Sequence, residues 1–233
     1  YLYASEQKCS GLKPVWLSRN PKIIHDLRSK GYLAFHSFGL KGIYYNLRAG
    51  YVFLTNGLED VNPFCISGAC VIRLWHGTPL KKMACDCLRS SDKLSVKEKL
   101  YQKAIYKIYK SDFIISSSNF VSTIFAKAFR ANRSNCLALG YPRNDAIFRE
   151  IKGFEIGMDM ELYNTIKALY KKYALILYMP TWRDQGGDPI NDGELDLIKL
   201  NQTLEKSGAY LFCKFHPYSG IDYDVSKCKR IIF

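Results

Sequence analysis

The chain has 233 residues, of which 48% are hydrophobic and 24% are charged, and this balance is typical of a globular protein and excludes a disordered one. No apolar run reaches about 18 residues, so the sequence predicts no membrane-spanning helix, and residues 1 to 15 lack a signal-peptide pattern. The formal net charge of +13 favours partners that carry phosphate, and simple solubility is the alternative interpretation.

Short apolar runs alternate with helical patterns through the first 150 residues. Asn20, Pro21 and Gly31 mark the two ends of one such helix, because they suit an N-cap, a first helical position and a C-terminal stop. Alternation of this kind predicts an α/β fold with a parallel sheet and helices on its faces. The predicted strands are 13–18, 32–37, 51–56, 70–76, 112–118 and 136–142, and the predicted helices are 21–31, 41–50 and 119–130.

A second series of elements follows residue 150. Residues 150–173 are predicted to be a linking helix, 173–182 a strand, 193–208 a helix and 209–217 a strand. We therefore divide the chain into a domain over 1–150 and the beginning of a second parallel-sheet domain over 151–233. The first residue is not Met, and the chain stops on the apolar sequence "RIIF". We expect a fragment, with the start of the first domain missing and the second domain truncated.

Eight cysteines are spread along the chain without the spacing of a zinc site. No CxxC pair occurs, and Cys85-Asp86-Cys87 is the nearest approach to one. We interpret the cysteines as reduced, mostly buried thiols of a cytosolic protein, and we expect no metal and no cofactor. They are Cys9, Cys65, Cys70, Cys85, Cys87, Cys136, Cys213 and Cys228.

The stretch "VIRLWHGTPLKKM", residues 71–83, is the first candidate for a catalytic site. His76 is predicted at the carboxyl end of a parallel strand, where ligands bind in such sheets, and an imidazole can accept a proton near neutral pH. Thr78 and Pro79 suit the cap and first turn of a following helix, whose N–H groups would bind an anion together with Lys81 and Lys82. The alternative is a helix-capping histidine with solvated lysines.

Two further strand ends, in the second domain, carry candidate binding residues. "MPTWRD" (179–184) places Thr181 and Arg183 after one strand, where the guanidinium could bind a diphosphate in bidentate fashion. A surface ion pair between Arg183 and Asp184 is the alternative. "KFHPY" (214–218) places His216 after the next strand. By contrast, we interpret His25 and His36 as structural.

Four motifs together resemble one known family. "WHGTPLKK" (75–82), "GYPRND" (140–145), "LYMPTWRD" (177–184) and "KFHPY" occur in this order and at similar distances in the CDP-glycerol glycerophosphotransferases, which include teichoic acid primases and polymerases and related capsule polymer enzymes. The resemblance spans about residues 30–220. It implies a GT-B-like architecture of two Rossmann-like domains, and transfer of glycerol phosphate or ribitol phosphate from a CDP-activated donor to a polymer or lipid-linked acceptor, with release of CMP.

The resemblance also implies roles for individual residues. His76 matches the general base that acts on the acceptor hydroxyl, and His216 matches the histidine that steadies the donor diphosphate. We expect Arg183, Thr181, Gly77, Thr78 and Lys81 to bind substrate, and the resemblance implies that no metal is needed. The family's Ser/Thr-rich donor-phosphate loop is expected beyond Phe233, so the donor site in this chain would be incomplete.

Two other classes of protein stay open at this point. A nucleotide-sugar glycosyltransferase of the same architecture would form a glycosidic bond and release a nucleoside diphosphate. A non-catalytic module that binds an anionic polymer would explain the charge but not a histidine at each of two strand ends. We expect no nucleic-acid partner, because no RNP-type motif or helix-turn-helix signature occurs.

Residues 95–112 are predicted to form a basic amphipathic helix. Ser95 and Glu98 match a capping box, while Lys99, Lys103, Lys107 and Lys110 share one side. One interpretation is a surface helix packed on its own domain. The sharper one is contact with an anionic membrane surface, where a lipid-linked acceptor would lie. With the family resemblance, this predicts a cytoplasmic enzyme that is peripheral on the inner face of the cell membrane.

Overall fold

The computed structural model describes residues 1, 11–87, 95–100, 103, 110–149, 152–153, 155–180, 190, 195–215 and 223–233. The chain forms two compact units, Tyr1–Gly157 and Met158–Phe233. Every pair of neighbouring strands in both units is parallel. The prediction of an α/β fold built on parallel sheets is therefore confirmed.

From residue 11 onward, the first described elements are a two-stranded sheet and two helices. Strands β1 (Trp16–Ser18) and β2 (Ala34–His36) pair in parallel, and helix α1 (Pro21–Ser29) connects them. The sequence signals for α1 are confirmed, since the side chain of Asn20 accepts a hydrogen bond from the Lys22 N–H. Helix α2 (Leu40–Leu47) then leads into the second sheet.

The second sheet of this unit has four strands in the order β3-β4-β5-β6. They are β3 (Tyr51–Leu54), β4 (Cys70–Arg73), β5 (Phe113–Ser116) and β6 (Cys136–Ala138), and helix α3 (Asn119–Phe129) joins the last two. Strand β4 ends at Arg73, three residues before the predicted end of the strand at His76.

Helix α3 packs against this sheet, and the two together form the buried core next to the candidate site. Ser118 caps the helix by accepting from the Val121 N–H, and the left-handed Arg130 (φ 50°) ends it. Its apolar side chains recur at helical spacing and point to the sheet, which buries them. The buried cluster consists of Trp75, Ile114, Val121, Phe125, Phe129 and Cys136.

The second unit has a three-stranded sheet in the order β7-β8-β9. Strands β7 (Ala174–Tyr178), β8 (Ala209–Cys213) and β9 (Ile231–Ile232) are accompanied by helices α4 (Met160–Tyr170) and α5 (Leu197–Lys206). The predicted linking helix is shorter than expected, because Asp159 caps it and the chain before it is turned. Strand β9 was not predicted, since its two β-branched residues are too few to show a period.

Two smaller sequence predictions also have clear outcomes. The capping box is confirmed: the Ser95 N–H and hydroxyl both donate to Glu98 Oε2, at 2.9 and 2.7 Å, and the Glu98 N–H donates to Ser95 Oγ at 3.3 Å. Residues 96–100 are helical, whereas 101–102 and 104–109 lie outside the described residues. No helix in the described part of the chain is long and apolar enough to cross a membrane.

Four of the seven cysteines that the structure describes are buried, as the prediction of mostly buried thiols has it. All seven described cysteines are free, and Cys85, Cys136, Cys213 and Cys228 are buried; Cys9 lies outside the described residues. Burial raises the pKa of the Cys85, Cys136 and Cys228 thiols, which keeps them neutral and poorly nucleophilic at physiological pH.

Candidate functional site

The candidate site lies at the carboxyl ends of the strands of the four-stranded sheet. After β4, the Leu74 N–H still pairs with the Leu54 carbonyl at 2.8 Å, so the chain leaves the sheet only at the next residue. Trp75 is left-handed, with φ 58°, a conformation that an aromatic residue rarely adopts. This turn directs Trp75 into the core and leaves His76 exposed at the edge of the sheet.

The imidazole of His76 stacks on the indole of Trp75. The two ring centroids are 4.0 Å apart and the rings are inclined by 32°. Trp75 is itself fixed, because it is buried and its ring meets Phe129 edge-on at 5.0 Å. Within the described part of the chain, neither ring nitrogen of His76 makes a hydrogen bond or an ion pair. A substrate hydroxyl could therefore reach a ring nitrogen without displacing a protein partner.

A second strand end contributes Arg143 to the same place. After β6, the turn Pro142–Ile147 carries Arg143, whose Nη1 donates a 2.9 Å hydrogen bond to the carbonyl of Trp75. The guanidinium carbon also lies 4.5 Å from the centroid of the Tyr141 ring. Sequence reasoning quoted the "GYPRND" motif but gave Arg143 no role. The contact joins residues 68 positions apart, and no local pattern predicts it.

A buried arginine lies directly beneath the site. Arg73, the last residue of β4, is fully buried; its Nε donates to Ser111 Oγ at 3.1 Å and its Nη1 donates to the Asn56 carbonyl. The guanidinium carbon also lies 5.4 Å from the Phe129 ring centroid. Such hydrogen bonds are required for a charge removed from water. Sequence reasoning missed this residue, although a charge inside an otherwise apolar strand was the available signal.

The helix predicted to begin at Pro79 is not present, and this part of the sequence interpretation was wrong. Residues 76–83 form bends and irregular chain, and the next regular element is the short 3₁₀ turn Ala84–Cys87. Ala84 is left-handed (φ 48°), so it stops any helix from running into that turn, and the turn buries Cys85. The anion site expected from free helical N–H groups beside Thr78 is therefore absent from this segment.

The remaining residues of the loop line its open side. Thr78 and Lys81 are exposed and Gly77 is half-buried. A Cβ placed on Gly77 would meet no heavy atom within 4 Å, so crowding within the described part of the chain does not explain this glycine. Among the described residues, the side of Gly77 on which a Cβ would stand is therefore open.

The three predicted donor-binding residues, Thr181, Arg183 and His216, lie outside the described residues. The strands that lead to them are described. Tyr178 and Cys213, the last residues of β7 and β8, are partners in the parallel register, and the Lys214 N–H donates to the Tyr178 carbonyl at 2.9 Å. The two motifs therefore begin at adjacent strand ends. In the described part of the chain, no three His, Cys, Asp or Glu side chains form a group that could hold a metal ion.

Several curated proteins are similar to this chain. It is 33% identical over 146 residues to the teichoic acid glycerol-phosphate transferase of Staphylococcus aureus. This alignment covers 58% of this chain and 35% of that protein. It is 29% identical over 174 residues to the teichoic acid poly(glycerol phosphate) polymerase of Bacillus subtilis, in an alignment that covers 69% of this chain and 22% of the polymerase. A teichoic acid ribitol-phosphate primase of Bacillus spizizenii is 29% identical over 154 residues, in an alignment that covers 63% of this chain and 37% of the primase. The chain thus spans well under half the length of these relatives.

Solved structures show the same fold. The wall teichoic acid polymerase TagF matches all of this chain and 56% of its own, with a TM-score of 0.66 at 21% identity. A variant of that polymerase soaked with CDPG matches with a TM-score of 0.65 at 21% identity, over 100% of this chain and 55% of its own. The predicted GT-B-like fold is therefore confirmed.

The family assignment rests on nearly the whole chain. The family described as "CDP-Glycerol:Poly(glycerophosphate) glycerophosphotransferase" matches residues 1–232. The chain therefore belongs to the CDP-glycerol:poly(glycerophosphate) glycerophosphotransferase family.

Proposed function

We propose that the protein transfers glycerol phosphate, or ribitol phosphate, from a CDP-activated donor to a hydroxyl of a lipid-linked or polymeric acceptor, in the synthesis of a teichoic acid or capsule-type polymer. The family match over residues 1–232 carries this proposal. Its relatives include both glycerol-phosphate and ribitol-phosphate enzymes, so either polyol fits.

His76 is the general base in this reaction. The acceptor hydroxyl gives its proton to a ring nitrogen of His76 while its oxygen forms a bond to the β-phosphorus of the donor. The bond between that phosphorus and the bridging oxygen breaks, and CMP leaves with the electron pair. The exposed imidazole has both ring nitrogens available for this transfer, and the stacking on Trp75 limits its movement. The first unit, Tyr1–Gly157, is thus the acceptor side.

The second unit, Met158–Phe233, holds the donor in this proposal. His216, Arg183 and Thr181 bind the diphosphate and stabilise the charge that develops as CMP leaves. Support comes from the pairing of Tyr178 with Cys213, which brings the starts of both motifs to one edge of the sheet. On the first unit, Gly77, Thr78 and Lys81 line the approach to His76, and Lys81 and Lys82 supply positive charge without a helix N-terminus.

The protein acts at the cytoplasmic face of the membrane in this proposal. A lipid-linked acceptor lies there, and the chain carries a formal net charge of +13. Lys99, Lys103 and Lys110 are exposed in the segment after Ser95, which supports contact with an anionic surface. The lysines would add about 1 kcal/mol each near such a surface.

The test is a donor panel with the full-length protein. CDP-glycerol, CDP-ribitol and UDP-glucose are each incubated with and without a lipid-linked acceptor, and the released nucleotide is identified by chromatography. The proposal predicts acceptor-dependent release of CMP from one or both CDP-polyols. Release of UDP from UDP-glucose, with no CMP from either CDP-polyol, would instead identify a glycosyltransferase. If no donor releases a nucleotide and the protein binds the acceptor alone, it is a binding module.

A further inference from the structure

The orientation of His76 has an unusual origin. A general base is commonly oriented by a third group that bonds to its second ring nitrogen. In the described part of the chain no such group contacts His76, so its imidazole is held by its backbone and by the Trp75 ring. The contacts that hold Trp75 in place therefore also determine the orientation of the His76 ring.

Trp75 occupies a sparsely populated backbone region, which persists only where the surrounding structure over-determines it. Two contacts do so. The indole is buried in the cluster around Phe129, at 5.0 Å, which holds the side chain. The carbonyl accepts the 2.9 Å hydrogen bond from Arg143 Nη1, which holds the peptide group that leads into His76. The ring is thus fixed by the core and the peptide by Arg143.

Arg143 is itself well placed to act as an anchor. It comes from the far side of β5, after β6, and so links the ends of two strands that are not neighbours in the sheet. Its guanidinium rests on the ring of the buried Tyr141, at 4.5 Å. A planar guanidinium on an aromatic face loses little further freedom when it donates a hydrogen bond.

We propose that Arg143 is the positioning residue of His76: its hydrogen bond to the Trp75 carbonyl locks the left-handed peptide and so sets the imidazole stacked on Trp75. This inference deepens the proposed function, on which its catalytic consequence rests. Its structural content does not depend on any reaction.

The first readout is therefore spectroscopic. The His76 and Trp75 ring centroids are 4.0 Å apart, so the indole ring current should displace the NMR signals of the His76 ring protons from their ordinary positions, and a His76→Gln variant of the full-length protein identifies these signals. In Arg143→Met, which keeps an aliphatic stem over Tyr141 but has no donor, this displacement should be largely lost. In Arg143→Lys, which can donate to the carbonyl, it should be partly restored. Arg149→Ala is the matched control, because Arg149 is an exposed arginine close along the chain that pairs with Asp145 at 2.7 Å.

The second readout separates positioning from binding. Displacing a catalytic group by about 1 Å can cost on the order of 10²-fold, so kcat of Arg143→Met should fall about 10- to 100-fold while KM for the CDP-polyol stays within about twofold. Arg143→Lys should recover part of kcat, and Arg149→Ala should match the wild type. An unchanged His76 signal in Arg143→Met, or an equal loss of kcat in Arg149→Ala, would overturn the inference. If the wild type turns over no CDP-polyol, the proposed function fails, and the NMR comparison still decides whether Arg143 positions His76.

Discussion

At the scale of single residues, the proposed reaction depends on His76, and the structure explains why this side chain is exposed. The left-handed Trp75 turns the chain out of the sheet, and the imidazole lies exposed on the indole. Both ring nitrogens are therefore without a hydrogen-bond partner among the described residues, and the imidazole centroid lies 4.0 Å from the indole centroid.

Replacing His76 with Ala should lower kcat by about 10²- to 10⁴-fold, because a general base contributes that much to proton transfer. Affinity for the CDP-polyol should change little, since the base faces the acceptor. Steady-state CMP release and calorimetric titration of the donor measure the two quantities. His25→Ala is the control, because His25 is an exposed histidine on α1. Wild-type turnover in a folded His76→Ala protein would remove His76 from the mechanism.

Loss of His216 or Arg183 should weaken donor binding and slow the departure of CMP together. If these side chains bind the diphosphate, His216→Ala and Arg183→Ala should each weaken donor binding by about 1.5–3 kcal/mol, the value of a charge-assisted hydrogen bond. Calorimetric titration of CDP-glycerol gives the affinity, with His25→Ala again as the control. Unchanged affinity and turnover in both variants would mean that neither residue contacts the donor.

At the scale of elements, one exposed ion pair holds the end of the first unit to its beginning. Lys30, which follows α1, lies 2.8 Å from Glu155, and the Tyr32 hydroxyl donates to the Lys152 carbonyl at 2.7 Å beside it. The hydrogen bond to Lys30 lowers the pKa of Glu155, and the same bond raises the pKa of Lys30. The pair therefore ties the segment after residue 150 to α1.

The stabilisation from this pair should depend on pH in both directions. A lowered carboxyl pKa gives stability that is present above the ordinary glutamate pKa and is lost as pH falls through the lowered value. A raised lysine pKa gives stability that is present below the ordinary lysine pKa and is lost as pH rises through the raised value. The Tm difference between wild type and Glu155→Gln should thus be greatest near neutral pH and shrink in acid and in strong alkali. In a Lys30→Met background, Glu155→Gln should shift Tm little; an equal shift there would show that the pair does not cause the effect.

The elements also show what can be predicted from sequence and what cannot. Helix α1 and the capping box at Ser95 were predictable, because caps and the residues that end a helix act within a few positions of one another. The conformation of the loop after β4 was not predictable from sequence. Trp75 is held in a left-handed conformation by its buried ring and by a hydrogen bond from Arg143, which lies 68 positions away. Thr78, Pro79 and the lysines matched a helix start, but the chain at 76–83 is irregular and the left-handed Ala84 turns it instead.

In the candidate site, the sequence singles out His76 as a catalytic candidate but does not predict the residues that contact the chain around it. A histidine after a β-branched strand is a local signal, and the family resemblance reinforced it. Arg73 and Arg143 act through contacts with Ser111, Asn56 and the Trp75 carbonyl, all distant along the chain. Such contacts follow from tertiary packing, and no local pattern in a single sequence predicts them.

At the scale of the whole molecule, the net charge of +13 and the lipid-linked acceptor of the proposed function together predict contact with an anionic membrane surface. Changing Lys99, Lys103 and Lys107 to Glu should reduce co-sedimentation of the full-length protein with anionic vesicles, most clearly at low salt, because screening weakens surface electrostatics. Changing the exposed Lys22, Lys127 and Lys206 to Glu alters the net charge equally and is the control. If both triple variants sediment alike, binding to the vesicles does not depend on Lys99, Lys103 and Lys107 in particular.

In the proposed function, the protein consumes a CDP-polyol and forms a phosphodiester, with His76 as the base. The most direct measurement is ³¹P NMR of the full-length protein incubated with CDP-glycerol and a lipid-linked acceptor. We expect the diphosphate signals to decay while a phosphodiester signal and the CMP monoester signal grow in equal amounts, and we expect His76→Ala to slow both changes together. A nucleoside diphosphate product, or CMP without a new phosphodiester, would contradict the proposed function.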